Sequence, residues 1–105
     1  MPGERRKFKR IELLNEVSYE ANRSEILAQW TDISIGGIFV QTMAPLTVGE
    51  QSKLRIHLDQ SPKRYRAVGV VRHCLKYVGM GLEFTQLHPV ARDLIQEEEP
   101  PIGPW

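Results

Sequence analysis

Apolar side chains recur at every second position along most of this chain, in runs of strand length. Leu54, Ile56 and Leu58 alternate with Lys53, Arg55, His57 and Asp59. On an extended backbone that period sends one set of side chains to each face, so such a run is a strand buried on one side. Ile11, Leu13, Val17 and Tyr19 stand against Glu12, Glu16, Ser18 and Glu20 in the same way. Ile26, Ala28 and Trp30 alternate with Glu25 and Gln29, and Ile38 to Thr42 carries β-favouring residues in Phe39 and Val40. Between Tyr65 and Arg72 the apolar residues are nearly continuous around Val68, Val70 and Val71, which predicts a strand buried on both faces. Val78, Met80, Leu82 and Phe84 alternate with Gly79, Gly81 and Glu83. Turn residues separate the runs at Asn22-Arg23-Ser24, across the Pro- and Gly-punctuated stretch Ala44 to Glu50, and at Asp59-Gln60-Ser61-Pro62; a short link through Leu75 and Lys76 leads to Tyr77.

Six short strands with turns between them predict an all-β, antiparallel barrel or sandwich. Helices do not alternate with the strands, which argues against a parallel α/β sheet. A helical signal comes only late. Pro89 suits a first helical position after His88, and Leu87, Val90, Ala91 and Leu94 fall on one face with Arg92 and Asp93 opposite. The 105 residues fit one domain with one core. The expected organisation is a single domain over 1–99: a flexible arm over 1–10, strands over 11–85 and a helix over 88–97. Residues 100–105, after the acidic and proline-rich run Glu97 to Pro101, are expected to be a disordered tail.

Composition excludes several classes. At 41% hydrophobic and 26% charged residues the chain is ordinary for a soluble protein, and no apolar run reaches the length of a membrane span. The opening residues lack the apolar segment of a signal peptide, and the single cysteine, Cys74, forms no internal disulfide. Both suit a cytoplasmic location. His57, His73 and His88 do not pair with Cys or carboxylates at zinc spacing, so no metal site is expected. His73 and Cys74 are neighbours in a strand and point to opposite faces, which is poor geometry for a nucleophile and its base. Ser34 has no histidine within its motif, and neither a Walker loop nor a Rossmann fingerprint is present. Met43, Met80 and the aromatic residues read as packing. The chain is therefore expected not to be an enzyme and to carry no catalytic residue.

Two stretches remain. The net charge of +1 hides an asymmetry: Arg5, Arg6, Lys7, Lys9 and Arg10 against Glu4 give the first ten residues +4, and the rest carries −3. Such an arm suits an anionic partner bound locally. A guanidinium fork bonds phosphate in two places, stacks on aromatic bases and reaches the N7 and O6 edge of guanine. Phe8 interrupts the charges and suits an anchor that fixes where the arginines point. The second stretch is Asp32-Ile33-Ser34-Ile35-Gly36-Gly37. Asp32 and Ser34, two apart, share a face of an extended backbone. A carboxylate accepts the Watson–Crick donors of guanine, a hydroxyl bonds a second edge or a phosphate, and Gly36 and Gly37 leave room for a ligand against the backbone. The competing reading makes Asp32 and Ser34 a turn-capping pair before a glycine hairpin. The alternation also leaves a local choice. Either Ile26, Ala28 and Trp30 face outward under cover, or a bulge near Thr31 switches faces before Asp32.

At these residues the chain resembles the PilZ domain family, bacterial receptors for cyclic di-GMP. Arg6 and Arg10, with Arg5 before them, fit the family's RxxxR pattern. Asp32, Ser34 and Gly37 fit its D/N-x-S-x-x-G motif. The strand count, the run Val78 to Phe84 and the late helix extend the likeness over most of the chain. The resemblance implies a six-stranded antiparallel β-barrel with a short C-terminal α-helix. It further implies that Arg5, Arg6 and Arg10 clamp the ligand, that Asp32 and Ser34 hold a guanine, and that Gly36 and Gly37 give clearance. Cyclic di-GMP is then a ligand and no further cofactor is expected. A protein partner in motility, biofilm or polysaccharide control would read the result. The alternative is a protein-interaction adaptor with the same fold that does not depend on ligand. A single-strand nucleic-acid binder ranks last, because only Phe8 offers a stacking ring in the arm and the body is net negative.

Overall fold

The alternation becomes an inside and an outside. The computed structural model describes residues 15–58 and 61–98. Its strands are β1 (Glu16–Ala21), β2 (Ser24–Ile33), β3 (Gly37–Gln41), β4 (Gln51–His57), β5 (Arg64–Leu75) and β6 (Gly79–Leu87), followed by α1 (Pro89–Glu98). They close into an antiparallel barrel in the order β1-β2-β3-β6-β5-β4, which leaves no open sheet edge. Val17, Tyr19, Val40, Leu54, Ile56, Val71 and Met80 are fully buried in the interior. Where polar tips enter the core they are bonded. The Tyr19 hydroxyl donates to the Ala44 carbonyl at 2.8 Å, and the Trp30 indole N–H donates to the His57 carbonyl at 3.0 Å. Ser52 is buried because its hydroxyl serves both backbone groups of Glu20, accepting from the N–H and donating to the carbonyl. This replaces ladder bonds beyond the Tyr19–Leu54 pair, the last between β1 and β4.

Three details differ from the sequence reading. Val68 and Val70 are only half-buried, so β5 has one core face, carried by Tyr65, Ala67 and Val71, rather than two. Val78 is exposed, because it lies in the turn between β5 and β6 instead of opening the last strand. The helix buries Ala91 and Ile95 with Leu94 partly covered, while Val90 faces out. The reason is that Leu87 belongs to β6, so a stripe counted from it is out of phase with the helix. His88 caps the helix: its ring Nδ1 accepts the Val90 N–H at 3.1 Å, and its own N–H donates to the Arg66 carbonyl, tying the helix start to β5. Strand β6 runs to Leu87, past the expected end at 85, and the helix Pro89–Glu98 starts and ends one residue later than expected. The arm over 1–10 and the tail over 100–105 lie outside the described residues.

The open choice at Thr31 is decided by register. Trp30 pairs with Val40, and the next pair is Asp32 with Phe39, so Thr31 is an extra residue on β2. Residues directly opposite in an antiparallel pair share a face. Trp30 therefore points inward with Val40, and Asp32 points outward with Phe39. Strand β5 holds a second such residue: Val71 pairs with Leu82 and His73 with Gly81, skipping Arg72.

Candidate functional site

Ser34 and Gly37 form the hydrogen-bonded pair that closes the hairpin between β2 and β3. The Ser34 N–H donates to the Gly37 carbonyl at 2.9 Å, and the Gly37 N–H donates to the Ser34 carbonyl at 3.3 Å. Ser34 thus lies on the outer face like Asp32, and Ile33, opposite Ile38, turns inward between them. The Ser34 hydroxyl oxygen accepts the Gly36 N–H at 3.2 Å. The turn-capping role is real for Ser34, and its O–H is left to donate outward. Asp32 is exposed, and its carboxylate makes no hydrogen bond or ion pair with another described residue. Capping does not account for it.

The two glycines differ. A Cβ on Gly37 would run into the backbone carbonyl of Leu82, so β3 and β6 approach too closely there for any side chain. A Cβ on Gly36 would meet only the Ser34 Oγ, at 3.8 Å, and Gly36 has no positive φ. Gly37 is required by packing. Among the described residues nothing requires Gly36, and none but Ser34 comes within 4 Å of the place of its Cβ.

These residues line a groove of about 550 Å³ with Phe39, Arg72, His73 and Glu83 on its other side. Arg72 pairs with Glu83 at 2.7 Å, which leaves Asp32 as the carboxylate free of a partner among the described groove residues. A larger hollow, about 690 Å³, lies on the outer face of β1, β4 and β5 and is lined by Glu20, Glu25, Lys53, Arg55 and Arg66 among others. Its charges are partly matched internally. Arg55 lies 3.8 Å from Glu25, which also accepts the Ser18 hydroxyl at 2.7 Å. Chemistry rather than volume singles out the smaller groove. Arg5, Arg6 and Arg10 lie outside the described residues, so the structure brings together four of the seven sequence-derived site residues: Asp32, Ser34, Gly36 and Gly37. Phe39 and His73 also line the groove, a placement the sequence does not show because it depends on strand register.

Among the described residues no group of three His, Cys, Asp or Glu side chains could hold a metal ion. None of the described helices is long and apolar enough to cross a membrane.

Residues 4–98 match the PilZ domain family. This chain belongs to the PilZ domain family. The likeness extends to solved structure. The inhibitor of motility MotI/DgrA from Bacillus subtilis superposes with a TM-score of 0.71 at 22% identity, over 90% of this chain and 49% of that one. At that identity the likeness speaks for the barrel alone, and the chain spans about half the length of that protein. No curated protein matches the sequence. PilZ domains are non-catalytic receptor or adaptor modules, and cyclic di-GMP is the ligand of the receptors among them.

Proposed function

We propose that this PilZ domain is a cyclic di-GMP receptor that switches contact with a downstream protein. The observation that carries the reading is the outward placement of Asp32 and Ser34 on one face, at the rim of an open groove, in a barrel of this family. Asp32 accepts the Watson–Crick donors of a guanine. Ser34 donates its remaining O–H to the ligand, and Gly36 gives clearance. The described part of the groove offers a free carboxylate and an Arg72 already paired with Glu83, so it holds little to bind phosphate. The cations are supplied by Arg5, Arg6 and Arg10, which clamp the phosphates and lie on the guanines. Charge-assisted bonds and stacking offset the cost of ordering the arm. The changed surface then recruits or releases a partner in motility, biofilm or polysaccharide control, in the cytoplasm. No further cofactor enters.

Calorimetry with the full chain and cyclic di-GMP in low salt tests this. Binding is expected, and its absence at ligand concentrations of roughly tens of micromolar overturns the reading. Asp32→Ala and Arg10→Ala are each expected to weaken binding by about tenfold to a hundredfold, the range for losing a charged hydrogen bond. Unchanged affinity in both rejects the site while leaving the ligand.

The second reading, a ligand-independent adaptor, rests on the larger hollow with its Arg23, Lys53, Arg55 and Arg66. A partner that binds equally with and without cyclic di-GMP favours it.

A further inference from the structure

Four residues stand in register straight across four adjacent strands. Asp32 on β2 is opposite Phe39 on β3, Phe39 is opposite Gly81 on β6, and Gly81 is opposite His73 on β5. Opposed residues share a face, so the row lies on the outside of the barrel, spanning roughly 14 Å at the usual strand spacing. Both ends of the row are aimed by an extra residue, Thr31 before Asp32 and Arg72 before His73. Bulges of this kind re-aim side chains beside functional sites.

The middle of the row is flat. A Cβ on Gly81 would collide with the His73 ring, its Nε2 at 2.7 Å, so the imidazole lies down over bare backbone. A Cβ on Gly79 would sit 2.8 Å from Cε2 of Phe39, so that ring also lies over a glycine. The two rings lie side by side, with centroids 6.1 Å apart and planes 27° from parallel. His73 is exposed and Phe39 half-buried, and both line the groove that holds Asp32. Rings laid over strand glycines also cover bare backbone, but here the two flat faces open into the groove beside an exposed carboxylate.

We propose that Phe39 and His73 form a stacking floor for a purine base of the ligand whose edge Asp32 holds, with His73 the residue that sets affinity for it. The inference rests on the cyclic di-GMP reading and adds to it the face of the base. One guanine edge meets the carboxylate at one end of the row, and the ring system extends along the row over Phe39 toward His73. Stacking on a ring tolerates any base, so discrimination for guanine stays with Asp32 while the rings supply grip.

The experiment is a calorimetric titration of the full chain with cyclic di-GMP, comparing unmodified protein, His73→Ala, His73→Phe and Asp32→Ala. His73→Ala is expected to weaken binding by about tenfold, the scale of one lost base–aromatic contact, while His73→Phe stays within about threefold of the unmodified chain. Purine protons of the bound ligand are expected to move upfield in the NMR spectrum, and less so with His73→Ala. Because His73 is exposed, both variants should melt with the unmodified chain, and a melting scan checks this. If Asp32→Ala weakens binding and His73→Ala does not, the floor is overturned and the receptor reading stands. If His73→Phe is as weak as His73→Ala, a ring-nitrogen bond replaces stacking and the floor is again overturned. No binding by the unmodified chain overturns both readings together.

Discussion

The two walls of this barrel are built differently. Around β1 and β4 the ladders run without a slip, from Glu16–Gln29 to Ala21–Ser24, from Val17–Ile56 to Tyr19–Leu54, and from Gln51–Val70 to His57–Arg64. On the opposite side β2–β3 slips at Thr31, and β5–β6 slips both at Arg72 and between Val68 and Gly69. The regular wall has solvated charges outside, Lys53 and Arg55 among them. The slipped wall carries Asp32, Ser34, Phe39 and His73 around a groove. Unbroken pairing serves closure and the core. The slips at Thr31 and Arg72 give up ladder regularity and turn Asp32 and His73 outward. That division predicts that stability and ligand binding can be altered separately.

The largest effect belongs to the regular wall. Ile56 is fully buried, opposed by Val17 on one side and Tyr65 on the other. Ile56→Ala is expected to lower unfolding free energy by about 3 kcal/mol in urea denaturation, from lost burial plus the cavity left behind. The affinity of the folded fraction for cyclic di-GMP should not move. A selective loss of affinity at full folding would erase the division between the walls.

Next come the two glycines at the hairpin. Gly37→Ala drives a methyl into the Leu82 carbonyl, backbone against backbone, and is expected to cost about 2 kcal/mol as β3 and β6 are forced apart. Gly36→Ala meets open space, so its stability should rise or fall by less than about 1 kcal/mol. On the receptor reading its affinity for cyclic di-GMP should drop, because that reading places the ligand where the methyl would stand. Paired melting and calorimetry on the two variants read both quantities. If Gly36→Ala binds normally, the ligand does not lie over the turn.

How much of this was legible follows the same division. Leu54, Ile56 and Leu58 announce the regular wall, because an unbroken period of two carries its own frame. Asp32-x-Ser34 announces a polar pair on one face, and the register bears that out. The bulge at Thr31 was visible only as a conflict between Trp30 and Asp32, since alternation says that a frame changes but not where. The meeting of the Phe39 and His73 rings was illegible. It depends on β3 and β5 being placed on either side of β6, on the slip at Arg72, and on the empty position at Gly81, three long-range facts with no local signature. The helix face was misread for a smaller reason, the strand residue Leu87 counted as helical.

The smallest effect is also the sharpest control. Arg55 sits in the larger hollow, 3.8 Å from Glu25, with both side chains more than half exposed. Water and salt screen such a pair, so Arg55→Ala should change stability by less than about 0.5 kcal/mol. Removing one cation also shifts the overall field slightly, an effect that salt suppresses, so the comparison is made at about 0.15 M ionic strength. Under those conditions the affinity for cyclic di-GMP should match that of the unmodified chain. A clear loss would mean that the anionic ligand uses the larger hollow, where Arg55 faces Arg66 directly across the strands. Like charges so opposed repel, and an anion between them would relieve it. The regular wall would then be the binding wall, and the bulges would need another explanation.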